Sequence, residues 1–247
     1  MRHPRYDEEG NRLDQLLIAL DVEDGRRALA LADTLSDVAG GFKIGNRLFT
    51  AEGPSIVRAL VERGRRVFLD LKYHDIPNTV ATAVAEAAAL GVWMVNVHAT
   101  GGSRMMRAAA DAAREAASRR NATPPLVIGV TVLTSLDAAA LAETGVSAPV
   151  LDHVVMLARL AQAAGLDGVV ASPQETSVIR ERCGDSFTIV TPGIRSSPAT
   201  GDDQKRTMGP REAVEAGANY LVVGRPIIGA PDPRAAAERF LLPFISP

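Results

Sequence analysis

The stretch Arg66-Val67-Phe68-Leu69-Asp70-Leu71-Lys72-Tyr73-His74-Asp75-Ile76-Pro77-Asn78-Thr79 decides how this chain of 247 residues folds. Its first part, Val67–Leu71, is a short apolar run of strand type. Pro77 marks a turn, and an Ala-rich helical pattern runs from Asn78 to Leu90. A strand therefore hands over to a helix through a segment that carries Asp70, Lys72 and Asp75. On a strand, Asp70 and Lys72 share a face, because side chains alternate. Asp75, three residues later, is expected to converge with them at the strand end. Unit charges about 4 Å apart interact by roughly 4 kcal/mol at an effective dielectric near 20. An ammonium set between two carboxylates is well balanced in charge and placed to deliver a proton.

The same alternation repeats from end to end. Strand candidates are Leu16–Leu20, Gly41–Ile44, Val67–Leu71, Met94–His98, Leu126–Val132, Gly168–Ala171, Phe187–Thr191 and Tyr220–Val223. Helical patterns follow at Gly25–Leu35, Gly53–Glu62, Asn78–Leu90, Ser103–Ala117, Leu151–Ala164, Pro173–Arg182, Pro210–Ala216 and Pro233–Leu242. Strands that each precede a helix imply βαβ units and a parallel sheet. At this length the expectation is one α/β domain, a closed (β/α)8 TIM barrel over residues 14–247 behind a polar tail at residues 1–13. An open doubly wound sheet is the alternative. The first strand is not followed by Gly-x-Gly-x-x-Gly, which weakens a dinucleotide-binding reading.

Parallel barrels carry their chemistry at the C-terminal ends of the strands. Reading those ends gives Asp21, Lys43, Asp70 with Lys72, Asn96-Val97-His98, Thr131 to Ser135, Ser172, Thr191 to Arg195, and Gly224-Arg225-Pro226. The ends of strands seven and eight suit phosphate. Gly224 permits close backbone approach, and Arg195 and Arg225 offer planar bidentate donors. Gly201 to Arg206 has the length of an active-site loop. His98 reads as a hydrogen-bonded residue that organises the barrel mouth, not as a metal ligand. Ser172 lies outside any Gly-x-Ser-x-Gly elbow, so a serine nucleophile is not expected.

Composition excludes other classes. The net charge is −2 and aromatic residues make up 4% of the chain, so neither a basic footprint nor stacking platforms for nucleic acid are present. Cys183 is the single cysteine, which precludes an intrachain disulfide or thiolate cluster and fits a reducing cytoplasm. No apolar run has the length of a membrane span, and the polar N-terminus does not read as a secretory signal.

Taken together, these residues resemble the orotidine 5′-phosphate decarboxylase family. The resemblance runs from about Leu16 to Pro226. It rests on Leu20-Asp21, Phe42-Lys43-Ile44-Gly45, the Asp70–Thr79 block, Val95 to Ala99, Leu133-Thr134-Ser135, Thr191 to Arg195, Gln204-Lys205-Arg206 and Val223 to Pro226. Tyr73 stands where related sequences often have another aromatic. The resemblance implies conversion of orotidine 5′-phosphate to UMP without metal or organic cofactor. It implies that Lys72 protonates the carbon that loses carboxylate, that Asp70 sits near the departing group, and that Lys43 and Asp75 complete a charged network. Asp21 and Lys43 would hold the ribose, Thr134 the pyrimidine, and Arg195, Gln204, Gly224 and Arg225 the phosphate. Asp75 and Thr79 would enter the partner's site in a homodimer. Two alternatives stay open: a magnesium-dependent sugar-phosphate decarboxylase or aldolase on the same barrel, and a non-catalytic sensor of phosphate ligands.

Overall fold

The computed structural model describes residues 14–194 and 208–245. The N-terminal tail at residues 1–13, and Arg195 and Gln204 with the loop around them, lie outside the described residues. Eight parallel strands close into a barrel in sequence order: β1 (Leu16–Ala19), β2 (Gly41–Gly45), β3 (Val67–Tyr73), β4 (Met94–His98), β5 (Leu126–Val130), β6 (Gly168–Val170), β7 (Thr188–Thr191) and β8 (Tyr220–Val223). Closure comes from β1, which pairs with both β2 and β8. The open doubly wound alternative is thereby excluded.

The described helices α1 (Gly25–Thr34), α3 (Pro54–Glu62), α4 (Pro77–Ala89), α5 (Gly102–Arg119), α7 (Val150–Ala163), α8 (Thr176–Cys183), α9 (Pro210–Glu215) and α11 (Pro233–Ile245) follow the sequence patterns closely. Three short helices, α2 (Asn46–Glu52), α6 (Ala138–Glu143) and α10 (Arg225–Ile228), were not expected. The expected helix Pro173–Arg182 is broken in two. Its first turn, Pro173–Glu175, is 3₁₀. Ser172 caps that turn, its hydroxyl accepting the Gln174 N–H while the Glu175 carboxylate accepts the Ser172 N–H, so this buried serine serves a turn and not a reaction. β5 stops two residues short of the expected Val132, although the Thr131 N–H and hydroxyl still donate to the Val170 carbonyl of β6.

Alternation sorts the strand residues into two layers. Leu16, Ile18, Phe42, Ile44, Val67, Leu69, Val95 and Val97 face the helices and belong to the large outer core. Leu17, Ala19, Phe68, Met94, Ile128, Val190 and Val222 face inward and fill the barrel. At its N-terminal end Trp93 meets Tyr220 edge to face, centroids 5.0 Å apart, with the Arg66 guanidinium 5.2 Å from the Trp93 ring. Among the described residues no helix is long and apolar enough to cross a membrane.

Candidate active site

Toward the C-terminal ends of the strands, polar side chains replace the apolar filling. They line a cavity of about 440 Å³ that includes Asp21, Lys43, Arg47, Asp70, Lys72, Thr134, Gly224 and Arg225. The inward positions of β2 and β3 build its floor. Phe68 is the last apolar residue of that row on β3, and Asp70 and Lys72 follow it. Leu71 and Tyr73 lean on the outer core, which leaves Lys72 to the inside as the alternation predicts.

A continuous chain of charges results. Lys43 Nζ lies 3.4 Å from Asp21 Oδ1 and 3.2 Å from Asp70 Oδ2. Lys72 Nζ lies 2.6 Å from Asp70 Oδ1. Burial opposes the charge on Lys43, but the Asp70 and Asp21 carboxylates outweigh it and raise the lysine above its ordinary pKa. Burial likewise opposes the charge on Asp70. Lys43 and then Lys72, with hydrogen bonds from Lys72 and Asn96, more than compensate and hold that carboxyl below the usual range. Gly45 leaves room for the pair above it: a Cβ there would stand 3.0 Å from Lys43 Nζ and 3.2 Å from Asp21 Oδ1. On the opposite side, Gly224 lets the start of α10 approach β1, where a Cβ would lie 3.3 Å from that of Ala19.

Lys72 has φ of 52°, the left-handed region. For a residue with a side chain this conformation costs roughly 1–2 kcal/mol. It coincides with a break in the β3–β4 ladder, whose register jumps from Leu69 opposite Val95 to Tyr73 opposite Val97. Asn96, fully buried, sits across the break. Its Oδ1 accepts the Lys72 N–H at 2.8 Å and its Nδ2 donates to Asp70 Oδ1 at 2.7 Å. The sequence reading noted Asn96 only as part of a strand end. Its signal was a lone amide in the apolar alternation Val95-Asn96-Val97.

Arg47 was also missed, because the reading stopped where β2 ends. It stands in the first turn of α2 at the cavity wall, paired with Glu23 at 3.3 Å in the open. The hydrogen bond expected of His98 gives way to a ring contact with His74, centroids 5.5 Å apart. Burial, then the charges of His74 and Lys72, push the His98 pKa down.

One expected contact is corrected. Asp75 does not converge on Lys72 within the chain. It is exposed, and its Oδ1 accepts the Ile76 N–H at 2.6 Å. The strand runs on to Tyr73 before turning, which carries Asp75 past the cavity toward α4. Thr79, on the first turn of α4, is exposed as well, and Ile76 between them is 67% exposed. Among the described residues, no group of three or more His, Cys, Asp or Glu side chains is placed to hold a metal ion.

Comparison with known proteins agrees with this architecture. Residues 14–240 match the family model described as Orotidine 5′-phosphate decarboxylase / HUMPS family. Orotidine 5′-phosphate decarboxylase of Moorella thermoacetica is 55% identical over 91% of this chain and 90% of its own length. The same-named protein of Syntrophotalea carbinolica is 53% identical over 92% and 93%. Among solved structures, orotidine 5′-phosphate decarboxylase from Lactobacillus acidophilus superposes with a TM-score of 0.82 at 36% identity, covering 94% of this chain and 99% of that one. The chain belongs to the orotidine 5′-phosphate decarboxylase family.

Proposed function

We propose that this protein decarboxylates orotidine 5′-phosphate to UMP and carbon dioxide, with Lys72 as the proton donor. The observation that carries the reading is the pairing of Lys72 Nζ with Asp70 Oδ1 at 2.6 Å, beside the buried Lys43, on the floor of a cavity with Arg225 at its wall. Cleavage of the bond from the pyrimidine carbon to carboxylate leaves the electron pair on that carbon. Lys72 gives it a proton as the new C–H bond forms, and the neutral amine regains a proton before the next turnover. The carbanion has little resonance stabilisation, so fixed charge must lower the barrier, and the donor must already be in place. Asp70 facing the substrate carboxylate adds repulsion in the ground state.

Asp21 and Lys43 hold the ribose hydroxyls in this reading. Thr134 meets the pyrimidine, and Gly224 and Arg225, with Arg195 and Gln204, take the phosphate. Binding energy gained at the phosphate is available to the reacting centre. Asp75 and Thr79, exposed beside Ile76, serve the partner's site in a homodimer. The reaction belongs in the cytoplasm, where a chain with one thiol needs no oxidising environment.

The magnesium-dependent sugar-phosphate reading is disfavoured by Lys43. Its ammonium already stands between Asp21 and Asp70, where a divalent cation would have to bind. The test is the ultraviolet loss of orotidine 5′-phosphate with purified protein and excess chelator, together with detection of UMP. Conversion supports the proposal. Activity that appears only on adding magnesium and a sugar phosphate overturns it, as does nucleotide binding without turnover.

A further inference from the structure

The break between β3 and β4 places three residues of one strand opposite a single residue of the other. Asp70, Leu71 and Lys72 lie between the pairs Leu69–Val95 and Tyr73–Val97, and Asn96 is what faces them. The left-handed turn at Lys72 directs its N–H to the amide oxygen of Asn96. The same amide donates to the Asp70 oxygen that receives the Lys72 ammonium. One side chain thus touches both ends of the Lys72 linkage, its backbone and its counter-ion. A carboxamide does this because it holds a donor and an acceptor on one rigid plane.

We propose that Asn96 is a positioning residue for the decarboxylation, one that fixes the Asp70 carboxylate and the Lys72 backbone as a unit so that the ammonium is held at the reacting carbon. The inference rests on the function proposed above. Asn96 acts through its neighbours: it does not line the cavity. With its donor on Oδ1, the Asp70 carboxylate cannot rotate freely, and Oδ2 stays turned toward Lys43. The charged and titratable groups around the amide are Asp70 and Lys72 from β3, Lys43 from β2 with Asp21 beyond it, and His98 on β4 with His74 against it.

Two variants test the role. Asn96→Ala removes both contacts. Small misplacement of a reacting group costs on the order of 100-fold in rate, so kcat should fall by about that factor while UMP affinity stays within about threefold. Asn96→Asp keeps the acceptor for the Lys72 N–H but sets a carboxylate against Asp70. Burial and that neighbour raise the introduced carboxyl above the ordinary range. When protonated, it again has a hydrogen to donate. The ratio of its kcat to that of the unsubstituted protein should therefore rise as pH falls from about 8 to about 5.5. A merely structural amide gives no such pH-dependent ratio.

The unsubstituted protein is assayed first. If it does not convert orotidine 5′-phosphate, the function proposed above has failed. If it converts and Asn96→Ala has an unchanged kcat per folded molecule, this inference alone is overturned. If Asn96→Ala does not fold, the Asn96→Asp ratio decides, and a ratio flat with pH overturns the role. Failure of both variants to fold makes the amide a folding element and overturns it too.

Discussion

Replacing Asp70 by Asn keeps the shape of the site and removes the one charge that both lysines share. Lys72 Nζ at 2.6 Å and Lys43 Nζ at 3.2 Å would then confront each other, with only Asp21 left for Lys43. Removing one partner from a buried ion pair costs about 3–5 kcal/mol. The Lys72 side chain is 30% exposed and partly screened, whereas that of Lys43 is 11% exposed. The lower end, about 3 kcal/mol, is therefore appropriate. For a chain of this size, that corresponds to a fall in Tm of roughly 6–12 °C. The pH dependence has a definite sign. Asp70 has a folded pKa below its ordinary value, so its contribution is present above the usual carboxylate pKa and is lost as pH falls through the folded value. Lys43 has a raised folded pKa, so its contribution is lost as pH rises through that value. The gap in Tm between the unsubstituted protein and Asp70→Asn should be full at neutral pH and close toward acid, with a second closure far on the alkaline side. Thermal melts across pH measure it. A variant that melts no lower than its parent at neutral pH, or a gap that ignores acid, would refute the reasoning.

The other predictions concern activity. Lys72→Ala should nearly abolish turnover while the far-ultraviolet circular dichroism stays unchanged, and near-normal turnover would remove Lys72 as proton donor. Arg225→Ala should weaken binding of the nucleotide far more than that of the nucleoside, as titration of both would reveal. Mixing Asp70→Ala with Asp75→Ala protein should restore roughly a quarter of the intact sites if each site is shared across a two-fold axis, since half the dimers are mixed and each of those has one complete site. No recovery in dimers proven to be mixed would place Asp75 elsewhere.

The barrel was legible because each strand is an apolar run next to an amphipathic or Ala-rich helix, and burial on both faces leaves little else for such runs to do. β4 and β8 have the bounds that the pattern suggested. The short helices α2, α6 and α10 were not legible, because each has only four to seven residues and sits in a strand-to-helix connection, where tertiary contacts decide the conformation. Asp70 and Lys72 could be read as neighbours from the alternation, and Asp21 and Lys43 as strand ends of the same barrel, but a shared charged network came only from the family resemblance. The break at Lys72 could not be read, since neither Gly nor Asn marks the left-handed residue. Asp75 was drawn inward for the same reason: counting along a strand does not tell where the strand stops. Asn96 needed the register of two strands before its amide meant anything.

The packed interior of the barrel has a consequence for the order of events. Leu17, Phe68, Met94, Ile128, Val190 and Val222 stopper the barrel beneath the charges, and Trp93 and Tyr220 seal its far end. The site is a cup with a single rim, not a tube. Under the proposed function, whatever forms at the bottom would leave by the rim through which the substrate enters, and the water that would reprotonate Lys72 would share that route. Carbon dioxide formed there would have to pass the nucleotide lying above it. Departure would then be a queue at one rim.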